Sequence, residues 1–289
     1  MKSNISIEIF NHERLKLGEG PIAYGTNNEH IAWVDILGQK VLKQELSSSA
    51  ASIENMGCDV SFLIPQSDGG LLLGSNPTIK SETNTDISIS RHEIDSEPTR
   101  WNDAKVGPSG ELWLGSMSYA ETSGAAALYR WRSGDLFPQK QIGGTTVSNG
   151  LAWSSDKSKM YFIDSPTQSL QVFSYAEGEI LGKVEVFNFP REYGYPDGMC
   201  IDSEDGLWVA FWMGSAVRRF DTKQGFKETH IINTPAARTT SCVFAGANLD
   251  KLIITSAHMD DTTASESAGK TFICEPGVIG TPTSQLIVD

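Results

Sequence analysis

Long hydrophobic runs are missing from this chain: no stretch approaches the roughly 18 consecutive apolar residues that a membrane-crossing helix needs. The N-terminus, Met1 to Phe10, has no apolar core of leader length, so no secretory signal is expected and the cytoplasm is the expected location. Positive charge is in deficit, with 23 Lys and Arg against 36 Asp and Glu, for a net charge of −13. That balance argues against nucleic acid and anionic membrane as partners, because both are bound through positive surface. Cysteine is scarce. Its four copies, Cys58, Cys200, Cys242 and Cys274, are scattered without a CxxC pair, and each sits in or beside an apolar run. Buried free thiols in a reducing compartment are therefore expected. The histidines, His12, His30, His92, His230 and His258, show no ligand spacing. Neither a Gly-x-Ser-x-Gly elbow nor a Ser/His/Asp order points to a covalent nucleophile. Long amphipathic helical periodicity is absent as well.

Glycine, by contrast, is plentiful (27 residues), which favours a turn-rich β protein. One phrase recurs: an apolar strand, a turn rich in Asp, Gly, Ser or Lys, then a second apolar strand. It reads Val60–Ile64, Ser67-Asp68-Gly69-Gly70, Leu71–Leu73, and again Ala104–Val106, Pro108-Ser109-Gly110, Leu112–Leu114. Further copies turn at Ser155-Asp156-Lys157, at Ser203-Glu204-Asp205-Gly206 and at Ala247–Lys251, and an early one at Asn27-Asn28-Glu29. Successive turns lie roughly 40 to 50 residues apart, the period of four-stranded propeller blades. One copy alone cannot bury its apolar face, so the copies must pack on one another around an axis. The expected fold is all-β: a six-bladed β-propeller with four-stranded blades around a central channel, one domain over residues 1–289. Ile5–Phe10 has no partner in the first blade and is expected to complete the last one. A two-domain β-sandwich is the structural alternative.

Four phrases place a carboxylate or carboxamide beside Gly, Pro or a second polar residue just ahead of a blade's inner strand. They are Gly18-Glu19-Gly20-Pro21, Arg100-Trp101-Asn102-Asp103, Ser148-Asn149-Gly150 and Pro196-Asp197-Gly198. Each taken alone reads most simply as a turn. Position changes that reading, because these four precede the inner strand while the ordinary turns follow it. In a propeller the starting ends of the inner strands converge at one channel mouth, so Glu19, Asn102, Asn149 and Asp197 would meet there. Their hard oxygen donors suit Ca²⁺, Mg²⁺ or Mn²⁺. Asp103 is expected to tie down the Asn102 loop. Trp212 could wall a pocket or pack between blades, and His258 follows the last blade's second strand.

At these residues the chain resembles the family of senescence marker protein (regucalcin), gluconolactonase and related sugar lactonases. The likeness runs through Gly18-Glu19-Gly20-Pro21, Arg100-Trp101-Asn102-Asp103-Ala104-Lys105-Val106, Leu114-Gly115-Ser116-Met117, Asn149-Gly150-Leu151-Ala152-Trp153 and Pro196-Asp197-Gly198-Met199. It continues in Gly206-Leu207-Trp208-Val209-Ala210 and Phe244-Ala245-Gly246. The resemblance implies a six-bladed propeller, with Glu19, Asn149 and Asp197 at metal-ligand positions, Asn102 near metal and substrate, and Arg100 on substrate. Some members carry a substrate-binding carboxylate soon after the Gly-Ser-Met phrase; Glu121 is the nearest match, about one residue late by direct counting.

The expected activity is hydrolysis of a sugar (aldono-) lactone at one divalent ion (Ca, Zn, Mn, Mg or Fe(II)), with Asp197 orienting or deprotonating the attacking water. Arg100, Asn102 and Glu121 are the expected substrate contacts. The partner is a small sugar lactone, and a monomer is expected. Hydrolysis of aryl esters or other lactones is one alternative, and a non-enzymatic calcium-binding propeller is the other.

Overall fold

The computed structural model describes residues 5–76, 78–83, 88–90 and 98–287. Among them lie 24 strands, and three short 3-10 turns are the only helical elements. No helix of the described residues is long and apolar enough to cross a membrane.

The strands pair antiparallel and mostly with their chain neighbours. β2 (Gly18–Tyr24), β3 (His30–Asp35), β4 (Lys40–Glu45) and β5 (Ser52–Asn55) form one sheet. β6 (Val60–Pro65), β7 (Leu71–Ser75), β8 (Thr78–Ser81) and β9 (Ser88–Ser90) form the next. β10 (Thr99–Val106), β11 (Leu112–Ser118), β12 (Ala126–Trp131) and β13 (Gln139–Thr145) follow. Then come β14 (Ser148–Trp153), β15 (Lys159–Asp164), β16 (Ser169–Ala176) and β17 (Glu179–Asn188).

The remaining strands share one eight-stranded sheet. Half of it is β18 (Tyr195–Ile201), β19 (Gly206–Trp212), β20 (Ala216–Asp221) and β21 (Lys227–Asn233). The other half is β22 (Arg238–Ala245), β23 (Lys251–Ala257), β24 (Thr271–Cys274) and the first strand of the chain, β1 (Ile7–Asn11). A single residue pair, Trp212 opposite Arg238, joins the halves. β1 lies antiparallel to β24, with Ile7 opposite Cys274, so the N-terminal strand completes the last sheet as the sequence suggested.

The first strand of each group packs beside the first strand of the next. β2 neighbours β6, then β10, β14, β18 and β22 follow in turn, and β22 returns to β2. The ring is closed. Apolar clusters straddle the boundaries between groups: Phe62, Ile64 and Leu72 pack with Trp101, Leu112, Leu114 and Tyr129. In the same way Ala152, Tyr161 and Ile163 pack with Met199, Val209 and Phe211. Each fully buried aromatic contributes on the order of 1.5–3 kcal/mol, and none could be covered within its own sheet.

The inner strands share an irregularity that the sequence did not reveal. In five of them two consecutive residues oppose a single residue of the second strand: Gly20-Pro21 in β2, Asn102-Asp103 in β10, Asn149-Gly150 in β14, Asp197-Gly198 in β18 and Thr240-Ser241 in β22. In β6 the shift falls at Ser61. Such bulges free residues from the ladder and re-aim their side chains.

Below the bulges the channel opens into a cavity of about 540 Å³, whose walls include Ile22, Phe62, Leu151, Cys200 and Val243. The C-terminal segment closes its far end. Gly280 bridges Asp202 just beyond β18, and Leu286 bridges Gln66 just beyond β6. β18 and β6 stand opposite each other in the ring, so this segment crosses a full diameter. Leu286 donates its N–H to the Pro65 carbonyl (2.8 Å) and accepts from the Ser67 N–H (2.9 Å).

All four cysteines are free thiols, and Cys200, Cys242 and Cys274 are buried as expected. Cys58 corrects the expectation: it is exposed, because it lies in the turn between β5 and β6 rather than in a strand. His92 lies outside the described residues.

Candidate metal centre

The bulges explain how an alternating strand can present polar side chains at the channel mouth. Asn102, Asn149 and Asp197 are the first unpaired residue of three successive bulges, and Glu19 is the last paired residue before a fourth. Asn102, Asn149, Asp197 and Arg100 are all buried. Glu19 and Asp103 keep partial exposure.

A hydrogen-bond chain fixes the carboxamides. Arg100 Nη1 donates to Asn102 Oδ1 (2.7 Å) and to the Trp101 carbonyl (2.9 Å). Asn102 Nδ2 donates to Asn149 Oδ1 (3.0 Å) and to the Ser148 carbonyl (2.9 Å). Asn149 Nδ2 donates to Ser165 Oγ (2.9 Å). With its nitrogen committed to Ser165, the Asn149 oxygen must face Asn102 and the mouth. The loops ahead of two of these strands are pinned by buried carboxylates. Asp35 accepts from the N–H groups of Lys16 (3.0 Å) and Leu17 (2.9 Å), ahead of Glu19. Asp164 accepts from Thr146 (3.1 Å) and Val147 (2.8 Å), ahead of Asn149.

The acids are uncomfortable. Burial and the nearby Asp103 charge push the Glu19 carboxyl up to about 8, with Arg100 opposing. Burial pushes Asp197 well above the usual carboxylate range, and the charges of Glu19 and Asp103 add to it. Asp103 is raised by burial, and Lys105 draws it back. Asp103 Oδ1 accepts from the Ala104 N–H (2.8 Å), which ties down the bulge as anticipated, but its Oδ2 has no hydrogen-bond partner. Asp197 Oδ1 is also buried without a partner. An unpaired buried oxygen costs on the order of several kcal/mol, and a cation shared by these groups would remove that cost.

The donor chemistry fits a hard divalent ion: two carboxylates, Glu19 and Asp197, and the Asn149 carboxamide oxygen. Among the described residues no three His, Cys, Asp or Glu side chains form a ready cage, so the carboxamide is what completes the set.

Other residues fall further out. Glu121 is exposed in the turn after β11 with φ of +52°, and it makes no hydrogen bond to Arg100, Asn102 or Asn149. Tyr119 donates its hydroxyl to Asp59 Oδ2 (2.9 Å). Burial and that bond push its hydroxyl up to about 12, and the pair lies within the field of Arg100. Trp212 packs on the cluster holding Leu17, Ile22 and Ala257, with the Arg238 guanidinium 5.7 Å from its ring. Packing between strand groups is therefore part of its role. His258 Nδ1 accepts from the Asp260 N–H (2.9 Å) and so closes its own loop.

Residues 17–258, which include Glu19, Arg100, Asn102, Asn149 and Asp197, match the SMP-30/Gluconolactonase/LRE-like region. Regucalcin of Danio rerio is 34% identical over 265 residues, spanning 89% of this chain and 88% of its own. A luciferin-regenerating enzyme has a similar solved structure, with a TM-score of 0.88 at 27% identity over 98% of this chain and 100% of its own. A calcium-binding protein, regucalcin from Agrobacterium tumefaciens, reaches 0.87 at 26% identity over 98% of both chains. Shared sequence over most of the length, on a shared fold, places this chain in the SMP-30/gluconolactonase/LRE-like family.

Proposed function

We propose that the protein hydrolyses an aldonolactone to its aldonic acid at a single divalent ion held by Glu19, Asn149 and Asp197. The observation that carries this reading is the pair of carboxylates held above their normal range beside an oriented carboxamide, with Asp197 Oδ1 lacking a partner. The family supplies the substrate class, since gluconolactonase gives it part of its name. We read the scaffold as a six-bladed propeller with four-stranded blades, counting the eight-stranded sheet as two blades. The closed ring of six inner strands and the single residue pair between those halves support that count.

A lactone is an activated cyclic ester, so its opening asks little of the protein. A bound dication supplies Lewis-acid polarisation of the lactone carbonyl and stabilises negative charge on that oxygen. Asp197, through the oxygen that the ion leaves free, orients the attacking water and draws on its proton. The water oxygen bonds to the carbonyl carbon, the ring C–O bond breaks, and the ring oxygen leaves as a hydroxyl after taking up a proton. The product acid ionises near neutrality, so turnover releases one proton. Arg100 directs its remaining N–H groups to substrate hydroxyls. Asn102 acts chiefly by holding Arg100 and Asn149, since both ends of its amide have protein partners. Glu121 and Tyr119 stand at the rim, where they can meet hydroxyls further from the carbonyl.

The test is proton release from a panel of aldonolactones by protein stripped with chelator and reloaded with single divalent ions. Rapid metal-dependent acid production is expected. No acceleration over spontaneous opening with any ion sinks the lactonase reading. Metal binding without turnover would favour the second reading, a calcium-binding propeller, as the calcium-binding regucalcin of Agrobacterium tumefaciens suggests.

A further inference from the structure

We propose that Lys105 is a positioning residue for this site: its ammonium crosses the channel beneath the bulges, holds the carboxylates together and limits their grip on a dication. This rests on the metal-site reading above.

Lys105 lies on β10, two residues beyond Asp103, and its Nζ donates to the Met199 carbonyl on β18, two residues beyond Asp197. β10 and β18 are not neighbours in the ring, because β14 stands between them. The side chain therefore bridges the channel directly under the acidic groups, as a crossbar between them and the cavity below, which it helps to line. Its ammonium forms no ion pair within the described residues, so its charge is not consumed elsewhere. Above it, Asp103 Oδ2 is buried without a hydrogen-bond partner.

Two opposed consequences follow from Coulomb's law. Without metal, the ammonium offsets the Asp103 charge, which bears on both Glu19 and Asp197, from the channel side, while Arg100 offsets Glu19 and Asp197 from the mouth side. With a dication present the same ammonium is repelled. Lys105 therefore raises the stability of the metal-free protein and weakens metal binding. A residue that merely propped the ligands in place would do the reverse, strengthening metal binding.

Lys105→Met removes charge and donor together, whereas Lys105→Gln removes the charge and keeps a donor for the Met199 carbonyl. Lys105→Arg keeps both. Titration calorimetry of Mn²⁺ into chelator-stripped full-length protein reads the affinity, and thermal melts with and without Mn²⁺ read the stability. Both uncharged variants should bind Mn²⁺ about tenfold more tightly than the parent. Their melting temperatures should be lower only in the metal-free state, and Lys105→Arg should return toward parental affinity. Unchanged or weaker binding in folded Met and Gln variants overturns the proposal. So does parental affinity in Gln alone, since the hydrogen bond and not the charge would then matter. If the parent itself binds no Mn²⁺, the metal-site reading fails and the inference falls with it.

Discussion

The two ends of the channel are made from the same six strands, yet they are built on opposite principles. At the mouth, the bulges set Asn102, Asn149 and Asp197 free of the ladder, and buried oxygens are left without partners. A few residues further along, the same strands resume regular pairing and turn Leu151, Cys200 and Val243 toward an apolar cavity that the C-terminal segment closes. β18 shows the change most plainly: Pro196-Asp197-Gly198 serves the mouth, and Met199-Cys200-Ile201 serves the packing. The lower end is largely apolar and contributes stability; the upper end holds buried acids whose oxygens lack partners and gives some of it up. Strain of this kind persists where the surrounding structure over-determines it, and it marks places held ready for a ligand.

If that division is right, changes at the two ends should move different observables. The largest effect belongs to Asp197→Asn. It keeps the shape but removes the charge, so lactone turnover should fall about a thousandfold. Metal-free melting temperature should hold or rise, because a buried carboxyl that ionises only against burial and its acidic neighbours is gone. Retained turnover with metal bound would remove Asp197 from the chemistry. At the lower end, Leu286→Ala opens a void in the cluster with Phe62 and Ile64. It should cost about 2–5 kcal/mol in denaturant melts while kcat at saturating metal stays within about twofold. A collapse of kcat in the folded variant would show that the two ends are not separable.

Acid–base behaviour sharpens the same contrast. Glu19 in the folded, metal-free protein titrates at about 8, above its unfolded value near 4.5. The folded state thus binds more protons than the unfolded one between those values. Its contribution to stability is fully present below about pH 4.5 and is lost as pH rises through 8. Metal-free protein should accordingly lose stability across that window, and metal affinity should climb over the same range as protons cease to compete. Saturating metal should flatten the stability profile. Melts and calorimetry at several pH values check both; a metal-free profile without that slope would mean Glu19 is not held in the cluster.

How much of this could be read from sequence follows from which interactions are local. The repeat was legible because strands and turns are short-range patterns, and the ligand phrases were legible because Gly or Pro flanks most of the polar residues. The bulges were not, since a register shift is defined only against the partner strand. Lys105 is an ordinary polar position by local pattern alone; its significance comes from reaching β18 across the channel. The closing segment, Gly280 to Leu286, carries no strand periodicity, and it is placed by two isolated bridges lying far from it in sequence. Nothing local marks Ser165, Asp164 and Asp35 either, as each acts on a loop roughly one hairpin away.

Ser165 supplies the smallest and most specific test of the upper end. Its hydroxyl is the partner that commits the Asn149 nitrogen and so directs the oxygen toward the mouth. In Ser165→Ala the amide can rotate, and half of its orientations would present N–H groups to the cation. Partners that orient a ligand typically contribute 10–100-fold to metal affinity. Here Asn102 still holds the Asn149 oxygen from the other side, so a loss of about three- to tenfold in Mn²⁺ affinity is expected. The melting temperature should stay within a few degrees, and kcat at saturating metal should be nearly unchanged. An equal loss of affinity and of stability would mean that Ser165 packs its strand group rather than aims the ligand. The double variant with Asn102→Ala distinguishes the two: if both residues orient the same oxygen, the combined loss in affinity should exceed the product of the single losses.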